Sequence, residues 1–232
     1  MSSPLPASRR YQRVLLKLSG EVFDDPGFLK SVVDQLAALR RRKIRVAVVV
    51  GGGNILRGRD TADMDRATAD KAGMLATVIN GIRLAEALRR RRLAAVHLTA
   101  RSIAGFVPGY DITTARRAFE DGILVLSGGT GNPFFSTDSA AALRAVELSC
   151  DALLKATNVA GVYSADPKQD PDARFLPRLG YRQALAEGLK VMDLTAFALC
   201  MEHRVPVLVF DLRRPGAIIG IIDGKKIGSC VC

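Results

Sequence analysis

The feature that most limits the fold of this chain is a repeated alternation. A short apolar run gives way to a turn rich in glycine or small hydroxyl residues, and then to a longer stretch with helical spacing. Strands are expected over Val14–Leu18, Ile44–Val50, Ala94–Leu98, Ile123–Ser127, Ala152–Lys155 and Pro206–Phe210. Ile44–Val50 barely alternates, the pattern of a strand buried on both faces. Helical spacing runs over Phe28–Leu39, where Phe28, Val32, Leu36 and Leu39 share a face, and over Ala67–Leu88. Further helices are expected over Ile112–Glu120, Thr137–Leu148 with Ser136 or Thr137 as N-cap, Tyr181–Glu187 and Leu194–His203. The tail Ala217–Val231 reads as two short strands around the turn Asp223-Gly224. This order predicts an α/β fold, a three-layer sandwich with a mainly parallel central sheet and helices on both faces. The 232 residues, 48% of them hydrophobic, suffice for one substantial core. A disordered tail over residues 1–10 and a single domain over 11–232 are expected.

Composition removes several classes. No stretch approaches the roughly 18 apolar residues of a membrane helix. The start, MSSPLPASRR, lacks the apolar segment of a secretory signal, and a cytoplasmic location is expected. Cys150, Cys200, Cys230 and Cys232 form no C-x-x-C pair, and His97 and His203 complete no zinc spacing, so no metal ligand set is expected. The net charge is +11. It fits either a nucleic-acid partner or basic helix ends with small anionic ligands. Arg40–Lys43 and Arg89–Arg92 each close a helical stretch, where cations favour the negative end of the helix dipole. No aromatic residue interleaves with them and there is no Trp, which argues against a nucleic-acid partner.

In parallel sheets ligands bind beyond the carboxyl ends of the strands. There this chain carries Lys17-Leu18-Ser19-Gly20, Gly51-Gly52-Gly53-Asn54, Ser127-Gly128-Gly129-Thr130-Gly131-Asn132 and Lys155-Ala156-Thr157. Glycines let backbone N–H groups approach an anion, and lysine supplies a point charge for phosphate. One glycine loop could serve a tight turn alone; two of them with two strand-end lysines point to phosphate handling. G-x-x-x-x-G-K-[ST] is absent, and Leu56 stands where G-x-G-x-x-G needs its third glycine. What remains is phosphoryl transfer with another cradle, in which catalysis is positioning and charge stabilisation. Lys17 and Lys155 could clamp the transferring group, and Asp138 could hold both lysines or simply serve its helix dipole.

These segments resemble the prokaryotic uridylate (UMP) kinases of the amino-acid-kinase superfamily. The resemblance rests on KLSGE at Lys17–Glu21, VVVGGGNILRG at Val48–Gly58 and MDRATADKAGMLATVING at Met64–Gly81. It continues through SGGTGNPFFSTDSAA at Ser127–Ala141, LLKATNVAGVYSADP at Leu153–Pro167 and GLKVMDLTAF at Gly188–Phe197. It implies a UMP kinase that makes UDP and ADP from ATP with Mg²⁺ in pyrimidine biosynthesis, assembled as a homohexamer. Lys17, Lys155 and Asp138 would be catalytic. Lys17, Leu18, Ser19, Gly20, Gly53 and Arg57 would face the ATP phosphates, and Thr157, Tyr163 and Asp166 the ATP nucleoside. Gly52 and Asp70 would meet UMP, with Asp70 at the ribose. Thr130, Gly131, Asn132, Pro133, Phe134, Phe135, Ser136 and Thr137 would wrap UMP. The N-terminal part would take the acceptor and the C-terminal part ATP. Phe134 and Phe135 could instead be core residues, Tyr163 strand packing, and Asp70 solvent-facing.

The chain departs from the resemblance in places. A longer Gly- and Phe-rich segment linked to GTP activation is replaced by Asp24-Asp25-Pro26-Gly27, so that activation is not carried over. The motif K-A-T-K-V-D-G reads Lys155-Ala156-Thr157-Asn158-Val159-Ala160-Gly161. The competing readings are another acceptor on the same fold, and a non-catalytic nucleotide- or oxyanion-binding protein like the molybdenum-storage relatives.

Overall fold

The computed structural model describes residues 11–56, 64–167, 169–189 and 191–232. The expected tail 1–10 and Arg57 lie outside the described residues. The elements begin with β1 (Arg13–Leu18), a 3-10 turn (Gly20–Phe23), α1 (Pro26–Arg41), β2 (Arg45–Val50), α2 (Arg66–Arg90), β3 (Ala95–Thr99) and α3 (Ile112–Asp121). They continue with β4 (Ile123–Ser127), α4 (Thr137–Glu147), β5 (Ala152–Thr157), β6 (Val162–Tyr163), β7 (Phe175–Leu176), β8 (Arg178–Leu179) and α5 (Tyr181–Ala186). Last come α6 (Leu194–Glu202), β9 (Val207–Asp211), α7 (Ala217–Ile222) and β10 (Ser229–Val231).

The main sheet has the order β3-β4-β2-β1-β5-β9-β10-β8, with β6 and β7 in a separate antiparallel pair. Every pairing from β3 to β9 is parallel, and β10 alone runs antiparallel to β9. The three-layer α/β expectation therefore holds. Alternation along each strand sends side chains to two cores. Val14, Leu16 and Leu18 of β1 join Val46, Val48, Leu36, Leu84 and Ile218 on the face covered by α1, α2 and α7. Leu15 joins Val49, Leu153, Phe119, Ala141 and Phe197 on the face covered by α3, α4 and α6.

Local chemistry sets the helix starts. Asp25, Asp65 and Asp111 each accept two backbone N–H bonds as N-caps of α1, α2 and α3. Ser136 does the same for α4, one of the two residues expected there. The tail needs a correction. Ala217–Ile222 is a helix, and only Ser229–Val231 is a strand. A six-residue apolar run is compatible with either period. Packing decides it here: Ile218 N donates to the buried Gln35 side chain of α1 at 3.0 Å.

Candidate active site

Lys17 continues the Leu15 face of β1 and Lys155 the Leu153 face of β5, and the two lysines are direct partners in the parallel register. Both therefore emerge at the carboxyl end of the sheet on the α4 side. Asp138, in the first turn of α4, stands between them. Lys155 Nζ donates to Asp138 Oδ2 at 2.5 Å and to the Val191 carbonyl at 2.6 Å. Lys17 Nζ lies 3.0 Å from Asp138 Oδ1, close enough for an ion pair but without hydrogen-bond alignment. All three side chains are 13–14% exposed.

Burial alone would raise the Asp138 carboxyl pKa, but the ammonium groups of Lys17 and Lys155 outweigh it and hold it below the usual carboxylate range. Burial pushes Lys155 below the ordinary lysine value, against the attraction of Asp138 and with the like charge of Lys17. The carboxylate thus sits between two crowded ammonium groups in a partly dry site. That arrangement can receive a further anion.

A cleft of about 410 Å³ opens beside Lys17, walled by Ser19, Gly20, Gly51–Gly53 and the start of α4 at Ser136 and Thr137. Glycine is required where the two loops meet. A Cβ on Gly20 would lie 2.4 Å from Asn54 Oδ1, and one on Gly52 would lie 2.8 Å from the backbone N of Thr77 in α2. The positive end of α4 borders this space at Ser136 and Thr137. Arg66 and Asp70 close its far side as an i,i+4 ion pair at 2.8 Å.

Asp70 is not solvent-facing: its side chain is 14% exposed and accepts the Phe134 N–H at 2.7 Å. That bond joins α2 to the glycine loop after β4. In the loop, Gly128, Gly129 and Gly131 take φ of +75°, +57° and +83°, and Phe134 takes +70°. Thr130 Oγ1 bonds the backbone of Asn132 in both directions at 3.2 Å. The core reading of the two phenylalanines is overturned, since Phe134 is 69% and Phe135 45% exposed.

The C-terminal residues expected at the site lie beyond β5. Thr157 Oγ1 shares its single proton between the carbonyls of Val159 and Phe210, at 2.9 and 3.2 Å. Tyr163 packs edge-on against Phe175 with centroids 5.5 Å apart, in keeping with strand packing. Asp166 sits in the following exposed turn.

Several supporting residues escaped the sequence reading. Asp193, the N-cap of α6, accepts from the hydroxyls of Ser136 and Ser139 and from Ala196 N. It ties the starts of α4 and α6 together beside Val191, the carbonyl partner of Lys155. Its signal was its place within KVMDLTAF. Asn80, fully buried in α2, donates to the Gly51 carbonyl and to Asn54 Oδ1 at 2.8 Å. Thr77 Oγ1 accepts from Gly128 N at 2.7 Å. Nothing in a helical pattern distinguishes those two from ordinary helix positions.

A model described as the amino acid kinase family matches residues 12–211. A protein named uridylate kinase from Pseudomonas putida is 45% identical over 232 residues, covering 96% of this chain and 94% of that one. Another so named, from Bradyrhizobium sp., is 47% identical over 231 residues, covering 95% and 97%. The crystal structure of UMP kinase from Ureaplasma parvum superposes with a TM-score of 0.90 at 37% identity, over 96% of this chain and 99% of that one. That of UMP kinase from Bacillus anthracis gives 0.91 at 31% identity, over 96% of each.

Proposed function

The chain belongs to the amino acid kinase family, in its uridylate kinase branch, and from that premise we propose that it transfers the γ-phosphoryl group of ATP to UMP, giving UDP and ADP. The observation that carries the reading is the Lys17–Asp138–Lys155 bridge beside a cleft walled by two glycine loops. A phosphate oxygen of UMP attacks the γ-phosphorus, and a P–O bond forms. The bond to the β,γ-bridging oxygen breaks, and its electron pair leaves with ADP. A phosphate monoester is largely ionised near neutral pH, so no general base is needed. The work of the protein is to gather anions and hold them in line.

In this reading Lys17 and Lys155 flank the transferring group from adjacent strands, and Asp138 positions them. Leu18, Ser19, Gly20 and Gly53 offer backbone to the ATP phosphates, and Arg57 joins them. Thr157, Tyr163 and Asp166 hold the ATP nucleoside. Gly52 and Thr137 receive the UMP phosphate, Asp70 the ribose, and Thr130–Ser136 the base side. The N-terminal part thus serves the acceptor and reaches the ATP phosphates, and the C-terminal part holds the ATP nucleoside. Magnesium would be brought as its complex with ATP. Both Asp138 oxygens already face ammonium groups, which fits an ion held chiefly by the triphosphate. When bound, the ion would neutralise negative charge on the transferring phosphates.

The product places the enzyme in pyrimidine nucleotide synthesis, and we assign it to the cytoplasm. Among the described residues no helix is long and apolar enough to cross a membrane. We also assign a homo-oligomer, a hexamer by resemblance. Leu75, Ile79 and Ile82 form an exposed apolar stripe on α2 that self-association would cover. A monomer by sedimentation at micromolar concentration would overturn that assignment. The function itself is tested by ADP release with Mg-ATP and UMP, CMP, dUMP, AMP, GMP or no acceptor. Strong UMP dependence is expected; acceptor-independent or absent turnover would overturn the reading.

A further inference from the structure

A second cavity, of about 230 Å³, lies between α2 and the glycine loop after β4. Met74, Leu75, Val78 and Ile103 give it apolar walls, and Lys71 and Arg101 bring charge to it. Lys71 follows Asp70 directly along α2. The cavity therefore lies next along α2 from the carboxylate assigned above to the ribose. Apolar walls with a few polar groups suit a flat ring with a polar edge.

Arg101 is held there by its backbone neighbours. Ala100 N donates to the Ser127 carbonyl at 2.9 Å, and Ile103 N to the Val107 carbonyl at 2.9 Å, forming a small hairpin. The guanidinium Nε donates to the Gly131 carbonyl at 2.8 Å, and Nη2 stands 3.5 Å from Asn132 Oδ1. Arginine has five N–H donors and no acceptor. Its charge favours the Asn132 carboxamide oxygen facing the guanidinium, which turns the NH₂ group to the opposite side. It also occupies the Gly131 carbonyl, the neighbouring backbone acceptor. The loop edge at this point becomes rich in donors and poor in acceptors.

We infer that Arg101 is a positioning residue for acceptor choice: through Gly131 and Asn132 it favours a pyrimidine with a ring carbonyl over one with an amino group at the same place. This rests on the UMP site proposed above. UMP and CMP differ at C4 by a carbonyl against an amino group and are nearly equal in size. Shape cannot separate them, so donor–acceptor matching must.

The test compares kcat/KM for UMP and for CMP, with Mg-ATP, in the wild type, Arg101→Ala and Arg101→Lys. Arg101→Ala frees the Asn132 amide to turn and the Gly131 carbonyl to accept. The UMP/CMP ratio should fall about tenfold or more, the value of one well-placed hydrogen bond to a charged or buried partner. The change should be read mainly in KM, with CMP gaining as UMP loses. Arg101→Lys has one ammonium that cannot serve both Gly131 and Asn132, so the same fall is expected, and it carries the test if the alanine variant misfolds. An unchanged ratio, or an equal loss for both acceptors, would overturn the inference. Absence of UMP turnover in the wild type would instead sink the proposed function.

Discussion

Replacing Asp138 by asparagine keeps the shape of the lysine bridge and removes its charge. At an effective dielectric of about 20, charges separated by the observed 2.5 and 3.0 Å attract with roughly 5–7 kcal/mol each before desolvation is counted. Burial offsets much of that. The net cost of removing one partner from a buried ion network is about 3–5 kcal/mol. For a chain of this length that lowers Tm by about 6–20 °C. Turnover should fall by about two to three orders of magnitude, the scale seen when a group organising transition-state charge is lost. The defect should also be anion-dependent. Two uncompensated ammonium groups attract phosphate, so Mg-ATP or inorganic phosphate should raise the melting temperature more in Asp138→Asn than in the wild type. The sign of the pH effect follows as well. Lys155 already sits below the ordinary lysine pKa, and losing Asp138 lowers it further. The alkaline limb of the rate profile should therefore move to lower pH. Scanning fluorimetry with and without ligand, and initial rates from pH 6 to 10, read all three effects. A variant that melts within about 2 °C of the wild type and turns over within about threefold would refute the argument.

Two further outcomes are expected. His97 is buried in β3, its Nε2 2.8 Å from Ser127 Oγ, and burial lowers its pKa from 6.5 to about 4. The unfolded chain then binds the proton first, so stability is intact above pH 6.5 and is lost as pH falls toward 4. About 2.5 pH units at about 1.4 kcal/mol each give at most about 3.5 kcal/mol. Urea unfolding at pH 7, 5.5 and 4.5 reads this, and an identical slope in His97→Gln would refute it. Gly20→Ala forces a Cβ against Asn54 and the Gly53 backbone N, at 2.4 and 2.8 Å. The two glycine loops must part, which should cost about 1–3 kcal/mol and at least tenfold in turnover. Steady-state kinetics beside a thermal melt would check it, and wild-type turnover would show that the close approach is dispensable.

The sequence by itself determined the layer architecture, because strand and helix periods are local and alternate cleanly from Val14 to Phe210. It also marked the chemistry, since lysines and glycines at strand ends are visible without any tertiary contact. Segment-level resemblance reached further, to the family. Tertiary structure decided the rest. The apolar run Ala217–Ile222 became a helix only because α1 offers Gln35 and a face to pack on. Asp138 could be read as a helix-dipole residue until register brought Lys17 beside Lys155 and packing set α4 against both. Phe134 and Phe135, expected at UMP, could by sequence alone equally have been core residues; a positive φ at Phe134 and its N–H bond to Asp70 turn this segment outward. Asn80, Thr77 and Arg101 were silent for the same reason, and Asp193 was marked only by its place in a matched segment. Their partners lie about 20 to 60 residues away in the chain, and a polar side chain acquires its role only when the fold brings a carbonyl, an N–H or a hydroxyl within reach. Periodicity records which face of an element is buried, and only the packed sheet decides which polar groups meet at its end.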